Sequence, residues 1–249
     1  MKVALVTGAN GGFGKLITLE LLKAGYFVVA SMRNQSNQKE LVDIARELQL
    51  HCQLKNVQMD VTNEEEIMKA SEWVLSQFGH LDVLINNAGY SQGGFTTDLS
   101  IEDWQNQYNT NILGVIQTTF YFLPLLRKSI NGQIINLSSV SGYFGFPGLG
   151  PYCSSKFALE GYSESLRLEL LPENIYVSLV EPASFKTGIW EKGLEIEANI
   201  REDERVKANT LHLARQSYKN AGDPILVAKL VRNMWIKATK VSLSSWKGC

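Results

Sequence analysis

The stretch Lys2–Ala30 reads KVALVTGANGGFGKLITLELLKAGYFVVA, and the order of its parts decides the fold. Lys2–Val6 is a compact apolar run of strand length that meets Thr7-Gly8. A turn follows, Gly8-Ala9-Asn10-Gly11-Gly12-Phe13-Gly14, and then Leu16, Ile17, Leu19, Leu21 and Leu22 recur at helical spacing. Ala24-Gly25 ends that helix, because glycine accepts the conformation a C-cap requires. Phe27–Ala30 is a second strand, and the whole is a βαβ unit of ordinary length. In such a unit the glycines serve a tight turn and let backbone N–H groups approach a pyrophosphate. The helix N-terminus there favours an anion, so the turn predicts dinucleotide binding rather than a turn alone. The spacing Gly8-x3-Gly12-x-Gly14 differs from the usual G-x-G-x-x-G.

Working outward, strands and helices keep alternating. Asn37–Leu50 predicts a helix, Val57–Val61 a third strand, Asn63–Phe78 a helix and Leu81–Ile85 a fourth strand. The fourth strand runs into Asn86-Asn87-Ala88-Gly89, small and amide residues suited to the ligand crevice of an open α/β sheet. A long helix is expected over Ile101–Arg127, with Asn109 and Asn111 in its interior, where asparagine is disfavoured and calls for a local reason. Ile134–Leu137 and Tyr176–Val180 predict two more strands, Pro224–Lys237 a last helix and Val241–Trp246 a weak seventh strand. The expected fold is therefore α/β: one domain over residues 1–249, with a doubly wound parallel sheet of about seven strands. Residues 183–222 change character, rich in Glu, Lys, Arg and Asn with Trp190 and Leu194 near their start. They read as a helical lid over the sheet's C-terminal edge, or as a solvated helix pair in their second half.

Two charge patterns carry chemistry. The second strand ends at Ser31-Met32-Arg33, and no Asp or Glu occurs between Glu20 and Glu40. An acid there would hold the ribose 2′-hydroxyl of NAD, whereas a base accommodates the 2′-phosphate of NADP, so Arg33 favours NADP over NAD. After the Ile134–Leu137 strand, Tyr152 and Lys156 stand four residues apart at the start of a helical pattern, on one face. A fixed ammonium favours phenolate and pulls a phenol of pKa near ~10 towards neutrality, which makes a proton donor or acceptor for an alcohol or a carbonyl. Ser139 at the strand's end offers a hydroxyl to the same oxygen.

Composition narrows the rest. The formal charge of −1 favours neither nucleic acid nor an acidic membrane surface. Cys52, Cys153 and Cys249 are odd in number without C-x-x-C spacing, which argues against disulfides or zinc and for a reducing compartment. Val3–Val6 is too short for a signal-peptide core, and Ile112–Leu126 is interrupted by Gly114, Gln117, Thr118, Thr119 and Pro124, too polar for a membrane span. A cytoplasmic protein is expected.

These residues together resemble the short-chain dehydrogenase/reductase family over nearly the whole chain. Thr7-Gly8-x3-Gly12-x-Gly14 is similar to the family's cofactor loop, with Asn10 and Phe13 inside it; Asp60-Val61 is similar to its adenine-contacting pair, and Asn86-Asn87-Ala88-Gly89 to its strand-four motif. Asn111, Ser139, Tyr152 and Lys156 match the catalytic tetrad in order and spacing, and Pro182 and Thr187 the segment that meets the nicotinamide carboxamide. The run from Tyr152 to Gly161 looks most like the branch with 17β-hydroxysteroid and retinol dehydrogenases. Two departures are visible: Ala183 replaces a usual glycine, and Gly11 stands where many NADP-binding members carry a base.

The resemblance implies hydride transfer between a nicotinamide and a carbon bearing oxygen. Tyr152 would be general acid/base, Lys156 would lower its pKa and hold the ribose, Ser139 would polarise the substrate oxygen, and Asn111 would hold a proton-relay water. It also implies a homodimer or homotetramer. Tyr90, Phe95, Tyr143, Phe144, Phe146 and Trp190 are candidate walls for an apolar substrate. The alternative is a redox sensor that binds NADP without turnover, against which the intact tetrad argues.

Overall fold

β1 (Val3–Val6) is buried at every position because it lies inside a sheet covered on both faces. In this computed structural model, which describes residues 1–187, 216–217 and 219–236, β1 pairs in parallel with β2 (Phe27–Met32) on one side and β4 (Val83–Asn86) on the other. β3 (Leu54–Gln58), β5 (Gly132–Leu137) and β6 (Ile175–Val180) complete a six-stranded parallel sheet of order β3-β2-β1-β4-β5-β6 among the described residues. The chain runs outward from β1 to β3, returns, and runs outward again from β4. The β1/β4 boundary is thus the switch point beyond whose C-terminal ends such sheets bind ligands.

Alternate residues divide β1 between two cores. Ala4 and Val6 face a layer made by α1 (Gly12–Lys23) and the last helix, through Ile17, Leu21, Val227 and Val231. Val3 and Leu5 face the opposite layer, with Ile67 and Val74 of α3 (Glu64–Phe78), Phe122 of α5 (Gly114–Leu126) and Leu166 of α6 (Gly150–Leu170). Between β2 and β3 lies α2 (Lys39–Glu47), preceded by a 3₁₀ turn, Gln35–Gln38, so it starts two residues later than the sequence pattern suggests. The last helix, α7 (Ile225–Ile236), is tied to α1 by Arg232 Nη1 donating to buried Glu20 at 2.7 Å.

The structure corrects two expectations. The third strand is Leu54–Gln58 rather than Val57–Val61. β3 is an edge strand, so Lys55 and Gln58 are exposed and its pattern is weak, while Met59 and Val61 are buried just past the ladder, where they join the core around Ile67. The long helix is divided: α4 (Ile101–Tyr108), opened by a reciprocal Ser100/Asp103 capping box, passes into a π-helical turn at Asn109–Leu113 before α5. Val241–Trp246 and most of the lid, including Trp190 and Leu194, lie outside the described residues. No described helix is long and apolar enough to cross a membrane.

Candidate active site

The segments that follow the C-terminal ends of the six strands line a cavity of about 1290 Å³, with the loops after β1, β4 and β5 at its centre. The β1 loop is built by glycine. Gly8 and Gly12 have φ of +63° and +51°, in the left-handed region, and Gly14 lets α1 press on the turn: a Cβ there would lie 2.2 Å from the Gly8 oxygen. The β4 loop is stitched to it, since Thr7 Oγ1 accepts from the N–H groups of Asn87 and Ala88, both at 2.9 Å. Asn87 Nδ2 donates back to the carbonyls of Thr7 (2.8 Å) and Gly8 (3.1 Å). The N-terminus of α1 has no side-chain cap and no acid in its first turn, and Gly11, Gly12 and Phe13 line the cavity there. Those free N–H groups and the glycine turn fit a pyrophosphate.

Every residue that the sequence nominated for cofactor or catalysis lines the cavity except two. Gly8, Asn10, Gly12, Phe13, Asn87, Ala88 and Gly89 form the floor between β1 and β4. Arg33, exposed after β2, and the pair Asp60-Val61 form one end; Asp60 Oδ1 caps its own turn by accepting from Thr62 N at 2.9 Å. Ser139, Tyr152, Lys156, Pro182 and Thr187 form the other end, Thr187 lying over Gly12. Gly14 is behind the turn, and Asn111 one layer back. Asn111 Oδ1 accepts from Tyr90 N (3.2 Å), and its Nδ2 donates to Tyr90 O (3.1 Å) and Ser155 Oγ (3.2 Å). The π-turn that carries Asn111 aims it at the β4 loop, which is the local reason its position demanded.

At the far end, Ser139 caps a 3₁₀ turn, Val140–Gly142, accepting from Ser141 N at 3.1 Å. The Ser139 hydroxyl donates to the Pro182 carbonyl at 3.5 Å and stands close enough to the Tyr152 phenol to favour its ionised form. Lys156 is 7 % exposed, donates from Nζ to the Leu137 carbonyl at 2.7 Å, and lies 5.7 Å from the centroid of the Tyr152 ring. Burial pulls the Lys156 ammonium down to about 8, while Glu160 pushes the other way. Burial also raises the Tyr152 phenol above its ordinary value, and Ser139 offsets only part of this. The direction is opposite to the pull towards neutrality expected from Lys156: burial sets it, Cys153 adds to it, and the group that lowers it is Ser139 rather than the ammonium.

Of the candidate aromatic walls, Tyr90, Phe95 and Phe146 line the cavity and Trp190 lies outside the described residues. Tyr143 and Phe144 do not: they are 48 % and 64 % exposed, and the Tyr143 hydroxyl donates to Glu181 Oε1 at 3.0 Å. Leu149, Pro147 and Phe185, which the sequence did not nominate, take their place. Ala183 is tolerated where glycine was expected: it is exposed, and among the described non-glycine residues only Gln49 and Asn174 have positive φ. Glu160 was also missed. Its signal was present, since it stands one further helical turn from Lys156.

The family model for short chain dehydrogenases matches residues 2–197. The chain is 39 % identical over 240 residues to the uncharacterized oxidoreductase YusZ of Bacillus subtilis, covering 95 % of this chain and 85 % of that protein. A short-chain dehydrogenase/reductase from Burkholderia phymatum in complex with NAD superposes with a TM-score of 0.82 at 27 % identity, over 95 % of this chain and 86 % of that one. A single-substitution variant of actinorhodin polyketide ketoreductase with NADPH superposes with a TM-score of 0.81 at 31 % identity, over 92 % of this chain and 88 % of that one. With its fold, its glycine turn and these likenesses, the chain belongs to the short-chain dehydrogenase family of nicotinamide-dependent oxidoreductases.

Proposed function

We propose that this chain interconverts an apolar alcohol and its carbonyl compound, prefers NADP, and uses Tyr152 as the group that gives or takes the proton. The observation that carries the reading is the placement of Tyr152, Ser139 and Lys156 at one end of a cavity whose floor is the glycine turn. Bound there, the nicotinamide supplies or accepts the hydride. In reduction, Ser139 holds the carbonyl oxygen by its hydroxyl, and Tyr152 delivers a proton to that oxygen as charge develops on it. A phenol held protonated by burial suits this direction. Lys156 stabilises the phenolate that remains and offers an ammonium donor to the ribose, while Asn111 fixes the β4 loop against α6.

Gly8, Asn10, Gly12 and Phe13 would hold the pyrophosphate, with Gly14 letting α1 close on the turn; Asp60, Val61, Asn87, Ala88 and Gly89 would flank the adenine and ribose, and Pro182 and Thr187 would meet the carboxamide. Arg33 binds the 2′-phosphate, supported by the absence of an acid at the end of β2. The apolar substrate is supported by Phe95, Phe146, Pro147 and Leu149 on the wall nearest Tyr152. The protein acts as one domain with the lid at 183–222, in a reducing cytoplasm as its free thiols Cys52 and Cys153 suggest, and as a homodimer or homotetramer. A screen of apolar ketones and alcohols, followed by nicotinamide absorbance with NADPH and NADH, tests the reading. Turnover abolished by Tyr152→Phe is expected; a protein that binds NADPH but turns over no carbonyl or alcohol is the redox-sensor alternative.

A further inference from the structure

Three consecutive residues at the end of β5 engage three residues spaced one helical turn apart on α6. The Leu137 carbonyl accepts from Lys156, the Ser138 hydroxyl donates to Glu160 Oε1, and the Ser139 hydroxyl stands against the Tyr152 phenol. Glu160 is therefore the lowest rung of a row whose upper rungs are the proposed proton donor and its lysine. Its surroundings are built rather than incidental. Gly142 packs so closely that a Cβ there would lie 2.8 Å from Glu160 Oε1. The Tyr143 hydroxyl joins the cluster, 3.5 Å from Glu160 Oε2 and 3.0 Å from Glu181 Oε1, and Glu181 precedes Pro182, whose carbonyl accepts from Val140 N at 3.1 Å.

We propose that Glu160 is a positioning residue of the reaction: it locks the Ser138–Gly142 turn against α6 and gives Lys156 its countercharge. The first half follows from the register, since Ser138 lies between the carbonyl that holds Lys156 and the hydroxyl that faces Tyr152. A slip of this turn would move both. The second half follows from the inventory of charge. The titratable groups around Lys156 are Tyr152 and Glu160, each one helical turn away on α6, with Cys153 beside Tyr152 and Tyr143 and Glu181 beside Glu160; Tyr90 lines the same cavity. Glu160 is the acid that acts on Lys156, against the burial that favours the neutral amine. Burial raises the Glu160 carboxyl; the Ser138 bond opposes this, Glu181 adds to it, and Lys156 and Tyr143 oppose it.

This inference rests on the proposed roles of Tyr152 and Lys156, and its test separates the two. The Nζ signal of Lys156, observed by NMR in ¹⁵N-lysine-labelled protein and assigned by its loss in Lys156→Met, reads the charge on the lysine without any substrate. Glu160→Gln can still accept from Ser138 but carries no charge. Its Lys156 midpoint should fall by roughly half a pH unit or more. Ser138→Ala keeps the charge and removes the lock: the midpoint should stay near the wild-type value while kcat for carbonyl reduction falls about tenfold with little change in NADPH affinity. An unmoved midpoint in Glu160→Gln overturns the countercharge, and wild-type kcat in Ser138→Ala overturns the lock. Tyr152→Phe retaining turnover would instead overturn the proposed function, whatever Glu160 does.

Discussion

Lys156 and Tyr152 are displaced in opposite senses by the same cause, because burial disfavours whichever form is charged. The proposed mechanism of carbonyl reduction needs both groups protonated. The lysine, at about 8, reaches its limit first. The expected kcat/KM for reduction is therefore level below that pH and declines above it, and a pH profile that stays flat to pH 10 or above contradicts this assignment of the limb. Tyr152→Phe should lower kcat by about a hundredfold or more while NADPH still binds, which fluorescence titration of the cofactor would show. Arg33→Ala should cut the ratio of kcat/KM for NADPH over NADH by about ten- to a hundredfold. An unchanged ratio would reduce Arg33 to a surface charge. An acid introduced at Met32 would be a poor test of the same point, since Met32 is fully buried in the core. The pairing of Tyr152 with Lys156 was legible because helical spacing alone puts them on one face. The upward displacement of Tyr152 was not, because desolvation depends on what the fold packs around a side chain.

The glycine turn and the divided helix show what an element adds to its residues. Gly14 has ordinary backbone angles for any residue, but its missing side chain lets α1 approach Gly8 and Asn87 Nδ2, where a Cβ would lie at 2.2 and 2.5 Å. Gly14→Ala must push helix and turn apart. We expect NADPH affinity to fall tenfold or more by calorimetry and stability to fall by about 1–3 kcal/mol; a variant with wild-type affinity would mean the turn does not hold the pyrophosphate. The turn was readable from its glycines, since that residue type serves few other purposes there. The π-turn at Asn109–Leu113 was readable only as a misplaced asparagine, because the phase shift that an extra residue puts into the apolar repeat is lost in the largely apolar run of α5 that follows. The third strand slid by three residues in the reading for a related reason: at the sheet edge, buried Met59 and Val61 looked more like a strand than the half-exposed ladder before them.

At the scale of the molecule, exposed Leu113, Phe120, Phe157 and Leu168 on the π-turn, α5 and α6 leave an apolar face outside the sheet's own needs. A dimer or tetramer formed there should appear in solution mass measurement at micromolar concentration, and Phe120→Glu should dissociate it; a wild-type monomer under those conditions refutes the assembly. The alternation of strands and helices made the parallel sheet legible in advance, whereas the pairing of β1 with β4 was a matter of topology. That pairing has a consequence in time. Val3 N donates to Asp82 Oδ2, and Leu5 pairs with Leu84, so the first strand of the chain waits for a neighbour some eighty residues away. As the chain leaves the ribosome, β1, β2 and β3 can assemble long before that neighbour emerges, and the β5 end and α6 come later still. The β2–β3 end of the cavity is thus made in the first third of synthesis and the Ser139–Tyr152 end well past its middle, and the nascent sheet keeps its β1 flank open until β4 emerges between them.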